Sequence, residues 1–132
     1  MNSFQFVLLA ALIGFSASQW NLDCKITVKF RNDGHQKVRV DLLVPSLSIM
    51  SDPVVLTEWK QEKTVNIKGK NCEMKHWVFM IYAWKDNNWV LKKKTQAKFT
   101  GNGWFLTSID DEYNMNVLDR HGIMCSEGNC GK

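Results

Sequence analysis

The chain has 132 residues, a formal net charge of +4 and four cysteines. That length bounds it to one domain with its own core. The mild basicity favours contact with anionic surfaces. Nucleic acid would suit the same physics, but a secreted protein rarely meets it, so none is expected as a partner.

The chain opens MNSFQFVLLAALIGFSASQW, with an apolar run from Phe6 to Phe15 and no charged side chain before Asp23. A membrane span needs roughly 20 apolar residues, so this run is too short to cross a bilayer. It matches the apolar region of a secretory signal peptide. Ser16 and Ser18 supply small residues for cleavage after Ser18. The expectation is a signal peptide at 1–18 and a single secreted domain at 19–132. No second apolar run follows, so the protein is not expected to span a membrane.

All four cysteines lie beyond that segment. An even number in a short secreted chain reads as two disulfides. The spacing of Cys24, Cys72, Cys125 and Cys130 matches no zinc pattern. Cys24 shares strand parity with Ile26, Val28 and Phe30, and Cys72 shares it with Val78, Met80 and Tyr82. That favours Cys24–Cys72 and leaves Cys125–Cys130 to close the small loop CSEGNC. The rival arrangement pins the C-terminal tail to the body through Cys72 or Cys24.

A period of two runs through most of the chain. In CKITVKFR, Cys24, Ile26, Val28 and Phe30 alternate with polar residues. Asn32-Asp33-Gly34 is a turn signal. In QKVRVDLLVP, Val38, Val40, Leu42 and Val44 form one face and Lys37, Arg39 and Asp41 the other. Pro45 and Pro53 bracket a loop. Shorter strands are expected at Val54 to Trp59 and Lys63 to Lys68, then longer ones at His76 to Trp84, Trp89 to Phe99 and Trp104 to Ile109. Lys85 to Asn88 and Thr100 to Gly103 read as the turns between the last three. Tyr113 to Met124 reads as either strand or extended coil.

About seven short strands and no helix predict an all-β fold, an antiparallel β-sandwich of Ig-like or transthyretin-like architecture. An open barrel is the alternative. A true immunoglobulin domain fits less well, because Trp59 lies far beyond Cys24 and no Tyr stands two residues before a later Cys.

HWVFMIYAWKDNNWVLKKKT, residues 76–95, holds three of the six tryptophans and three consecutive lysines. With Trp84 opposite Trp89, one face carries His76, Val78, Met80, Tyr82 and Trp84 with Trp89, Leu91, Thr95, Ala97 and Phe99. That face is expected in the core, with Lys93 a misfit. The other face carries Trp77, Phe79, Ile81 and Ala83 with Val90, Lys92, Lys94, Gln96 and Lys98. It reads either as an ordinary outer face with lysine stems lying over rings or as a contact surface. The candidate ligand-binding residues are Trp77, Phe79, Ile81, Lys92, Lys94 and Lys98, facing an extracellular protein, an anionic glycan or a lipid surface. An odd shift in loop length exchanges the two lysine sets.

Other chemistry is thinner. Asp86 and the run Asp110, Asp111 and Glu112 are expected at one end of the sheet. They form a remote calcium candidate, since Ca²⁺ takes six to eight oxygens. Gly101-Asn102-Gly103 reads as a hairpin turn, because no Lys-Ser/Thr follows it. His35, His76 and His121 are scattered, and neither a nucleophile elbow nor a zinc-protease helix occurs. The expectation is a non-enzymatic protein without a cofactor. A self-associating structural protein is the second reading and a small hydrolase the third. Oligomeric state is left open.

GNGWFLTSIDDE followed by LDRHGIMCSEGNC resembles the C-terminal ends of small, secreted, two-disulfide β proteins of nematodes. That resemblance implies an extracellular setting and points to no particular activity. GWFL also resembles a short element of lipid-binding PLAT domains, although the strands before it follow another pattern. No functional residue is carried over from either.

Overall fold

The computed structural model describes residues 23–131. The expected signal peptide and its cleavage point lie outside the described residues. Eight strands account for most of the chain: β1 (Asp23–Asn32), β2 (Val38–Val44), β3 (Ile49–Met50), β4 (Val54–Leu56), β5 (Glu62–Lys70), β6 (Trp77–Lys85), β7 (Asn88–Ile109) and β8 (Met115–Ser126). Among the described residues a single 3₁₀ turn, Pro45–Leu47, follows β2. Proline opens it because its fixed φ suits a helical first position. The all-β sandwich expected from the periodicity is what forms.

The strands make one curled sheet folded into two layers, and β7 belongs to both. Its first half pairs with β6, which pairs with β2, and β2 carries β3 and β4. Its second half pairs with β8 and with β1, which carries β5. All pairs are antiparallel except β1 with β7, which is parallel over Lys25–Asn32 and Asn102–Ile109. The sheet is therefore mixed rather than purely antiparallel. A parallel pair needs a long crossover, and everything between β1 and β7 supplies it.

The expected turn at 100–103 is a corner inside β7. Gly101 has φ +120°, and its pairing with β8 slips between Gly101 and Trp104. A Cβ on Gly103 would lie 1.8 Å from the His121 carbonyl oxygen, which no side chain tolerates. Glycine here lets two backbones touch while the strand bends. The ambiguous stretch after Tyr113 becomes β8, because it has this bent partner to pair with.

The core is the set of alternating residues that the sequence places on one parity. Ile26, Val28 and Phe30 of β1, Val38, Val40 and Leu42 of β2, and Phe105 and Ile109 of β7 are all buried. Both disulfides form as favoured, Cys24–Cys72 and Cys125–Cys130. Among the described residues no helix is long and apolar enough to cross a membrane.

A polar clamp closes one end of this core. The Arg31 guanidinium donates to both oxygens of Asp33 at 2.8 and 2.9 Å, Lys60 Nζ approaches at 3.0 Å, and the Ser108 hydroxyl donates to Oδ2. These donors, Arg31 foremost, hold the Asp33 carboxyl well below its ordinary value of 3.8. A carboxyl with a depressed folded value stabilises the fold above its unfolded value and loses that contribution as pH falls. Acid unfolding is therefore expected to set in as pH drops below about 4. Asp33→Asn is expected to cost about 2 kcal/mol at neutral pH and to flatten the acid limb of a urea-denaturation series. An acid limb identical in the two proteins would assign it to other carboxylates.

Candidate functional site

The hairpin between β6 and β7 turns on Asp86 (φ 52°) and Asn87 (φ 62°). Two successive left-handed residues make a two-residue type I′ loop, whose twist matches the strands it joins. Asp and Asn tolerate this conformation better than most side chains. Lys85 then pairs with Asn88 and Trp84 with Trp89, as expected.

Two pairs further down, the register slips. Tyr82 pairs with Leu91 but Ile81 pairs with Lys93, leaving Lys92 as the extra residue of a β-bulge. One extra residue exchanges the faces of everything beyond it. Trp77, Phe79 and Ile81 therefore share a face with Lys93, Thr95, Ala97 and Phe99.

That exchange overturns half of the contact surface expected from the sequence. Trp77, Phe79 and Ile81 are 0, 1 and 0% exposed and form the centre of the core. Phe79 packs edge-on against Phe30 and Phe99, and Trp77 tilts over Phe99 at 5.3 Å between ring centres. Lys98 is taken by Glu127 at 2.9 Å, which in turn holds the Glu127 carboxyl below its ordinary value. Lys92 and Lys94 stay exposed, Lys92 at the bulge and Lys94 opposite Met80. The converse also holds: Val78, Met80, Tyr82 and Trp84, expected inside, are on the outer face.

The outer face is nonetheless aromatic and cationic. The Trp84 and Trp89 rings meet edge to face with centres 5.0 Å apart. Lys37 Nζ sits 4.4 Å from the Trp84 ring and 5.4 Å from the Trp89 ring. Arg39 lies 4.9 Å over the Tyr82 ring, because β2 pairs Arg39 with Tyr82. Arg39 also donates twice to Asp41, at 2.9 and 2.7 Å, and this pairing raises its pKa. Its charge is thus neutralised locally, and the net positive charge on the face comes from lysines. Trp84 is 42% and Leu91 50% exposed, so rings and aliphatic surface are open to a partner.

Lys37, Arg39, Tyr82, Trp84, Trp89 and Leu91 did not stand out as a group in the sequence. The signal was the run Lys92-Lys93-Lys94. A change of strand parity costs least where successive side chains all reach solvent, and a bulge there pairs the most apolar face of β6 with Ala97 and Phe99.

The calcium candidate does not assemble. Asp86 is at the hairpin tip. Asp110 Oδ1 accepts from the backbone N–H groups of Glu112 and Asn114 and so shapes its own turn. Asp111 is paired with His35, whose backbone N–H at 2.6 Å and then its ring lower the carboxyl pKa. Among the described residues no three His, Cys, Asp or Glu side chains are grouped to hold a metal ion.

Comparison of the chain with family models, with curated proteins and with solved structures finds no match.

Proposed function

We propose that this is a secreted, non-enzymatic protein that binds an anionic extracellular glycan through the outer face of β2, β6 and β7. The observation that carries the reading is the Trp84–Trp89 pair at the hairpin end, Trp84 exposed and Trp89 half-buried, with Lys37 against both rings. Rings stack on the C–H faces of sugars, and the ammonium groups of Lys37, Lys92 and Lys94 match sulphate or carboxylate. A cation over an open ring adds about 0.5–1 kcal/mol, so the surface is preset at little cost in side-chain freedom. The two disulfides suit an oxidising compartment.

Titrating tryptophan fluorescence with heparin is expected to give a saturable shift that weakens with added salt. Lys37→Glu combined with Lys94→Glu is expected to weaken it at least tenfold. An unchanged titration in that variant would remove the outer face from consideration. A response to anionic vesicles without one to heparin would assign a lipid surface instead. A second reading, self-association, draws on Leu91 and Met50, both exposed on this layer. It requires a mass in solution that rises with concentration and falls on Leu91→Lys.

A further inference from the structure

Lys93 is the residue that neither face explains. The bulge turns it onto the inner parity, opposite Ile81 and in line with Thr95 and Ala97. An ammonium there would have to be buried among apolar side chains, which costs several kcal/mol. The layers are open at this point instead. Where β7 doubles back, a cleft of about 340 Å³ separates its first half from the β7–β8 turn and the start of β8.

The lining is polar and convergent. Lys93 and Thr95 come from β7, Asp110 and Asn114 from the turn, Asn116 from β8 and Asn129 from the disulfide loop, with Ile81 and Met115 as apolar floor. Asn129 is fixed in place. Its backbone N–H donates to the Gln96 carbonyl at 3.0 Å, and its side-chain amide donates to Thr95 Oγ1 at 3.2 Å and to the Met115 carbonyl at 2.7 Å. Cys125–Cys130 closes the loop that presents it. By contrast, the Lys93 ammonium and the side-chain amides of Asn114 and Asn116 have no hydrogen-bond or ion-pair partner among the described residues.

We infer that this cleft is a second binding site, and that it takes a carboxylate-bearing sugar such as a uronic acid. The volume is near the lower end of small-molecule sites, which run from about 300 Å³ upward, and suits one or two rings. Lys93, with Lys94 beside it, calls for an anion. Asp110 disfavours a ligand that is anionic all over, such as sulphate, and accepts from hydroxyls instead. Asparagine amides both donate and accept, which fits vicinal hydroxyls. Bulges recur where a strand must re-aim a side chain at a site, and here the bulge is what delivers Lys93. The inference stands apart from the rings of the outer face, which do not line the cleft, while Lys94 borders both.

The test is an NMR titration of the protein secreted with both disulfides intact, using glucuronic acid, glucose and acetate separately. Glucuronic acid is expected to shift the side-chain amides of Asn114, Asn116 and Asn129 saturably, and to bind at least tenfold tighter than either glucose or acetate. Lys93→Gln is expected to weaken it about tenfold while leaving the rest of the spectrum in place, as loss of one charge-assisted hydrogen bond does. Equal binding of acetate would overturn the sugar assignment. Shifts confined to the Trp84 and Trp89 indoles, no shifts at all, or full binding by the Lys93→Gln protein would each overturn the site.

Discussion

Replacing Trp77 with alanine is expected to cost about 3–5 kcal/mol of folding stability and to leave the heparin affinity of the remaining folded protein unchanged. The side chain is fully buried and packs on Phe99 and Phe105. Its indole N–H donates to the Cys72 carbonyl at 2.8 Å, so truncation opens a cavity and also leaves that carbonyl with the Ser46 hydroxyl alone, at 3.1 Å, beside the Cys24–Cys72 bridge. Small domains have roughly 5–15 kcal/mol in total, so the loss is a large share of what holds the fold. Trp84→Ala is the control: an exposed ring whose removal is expected to cost less than about 1 kcal/mol but to reduce the fluorescence response to heparin. Urea denaturation and titration of both variants separate the two effects. If Trp77→Ala kept its stability and lost its ligand, the face assignment across the bulge would be wrong.

The contrast between those tryptophans also shows where sequence reasoning ran out. Period-two alternation made β1, β2 and the core valines legible, since each strand in isolation declares its buried parity. Strand parity served for Cys24, which continues the buried set of β1, but not for Cys72, whose parity mates Val78, Met80 and Tyr82 lie on the outer face although the Cys24–Cys72 pairing forms. The join between two strands was not legible, because one extra residue inverts it. Both β6 faces are apolar enough to be buried, so alternation in β6 alone does not choose. The choice is made by the aromatic cluster of Phe30, Phe79, Phe99 and Phe105, whose members are distant in the chain. The corner in β7 was missed for a related reason. Gly101-Asn102-Gly103 has the composition of a hairpin turn, and only the approach of His121 and Gly122 shows that it bends a strand instead.

The two disulfides are expected to differ sharply in what their removal does. The Cys24–Cys72 bridge spans 48 residues and the Cys125–Cys130 bridge spans 5. Loop-closure entropy then assigns about 4 kcal/mol to the first and about 2 kcal/mol to the second. In the folded state β1 and β5 already pair from Asp23–Lys70 to Arg31–Glu62, so Cys72 sits close to Cys24 with or without the bond. The long bridge therefore acts mainly by restricting the unfolded chain. The short one restricts little of the unfolded chain but holds the loop that carries Asn129 against Gln96 and Thr95. Replacing Cys24 and Cys72 together by alanine should lower the thermal midpoint by well over 10 °C, since about 1 kcal/mol shifts a domain of this size by roughly 4–8 °C. Replacing Cys125 and Cys130 should lower it by about half as much and should weaken glucuronic acid at the cleft more than heparin at the outer face. Midpoints from calorimetry on both pairs decide the matter. A larger drop for the short bridge than for the long one would mean that the tail, rather than β1, is where the native state is fastened.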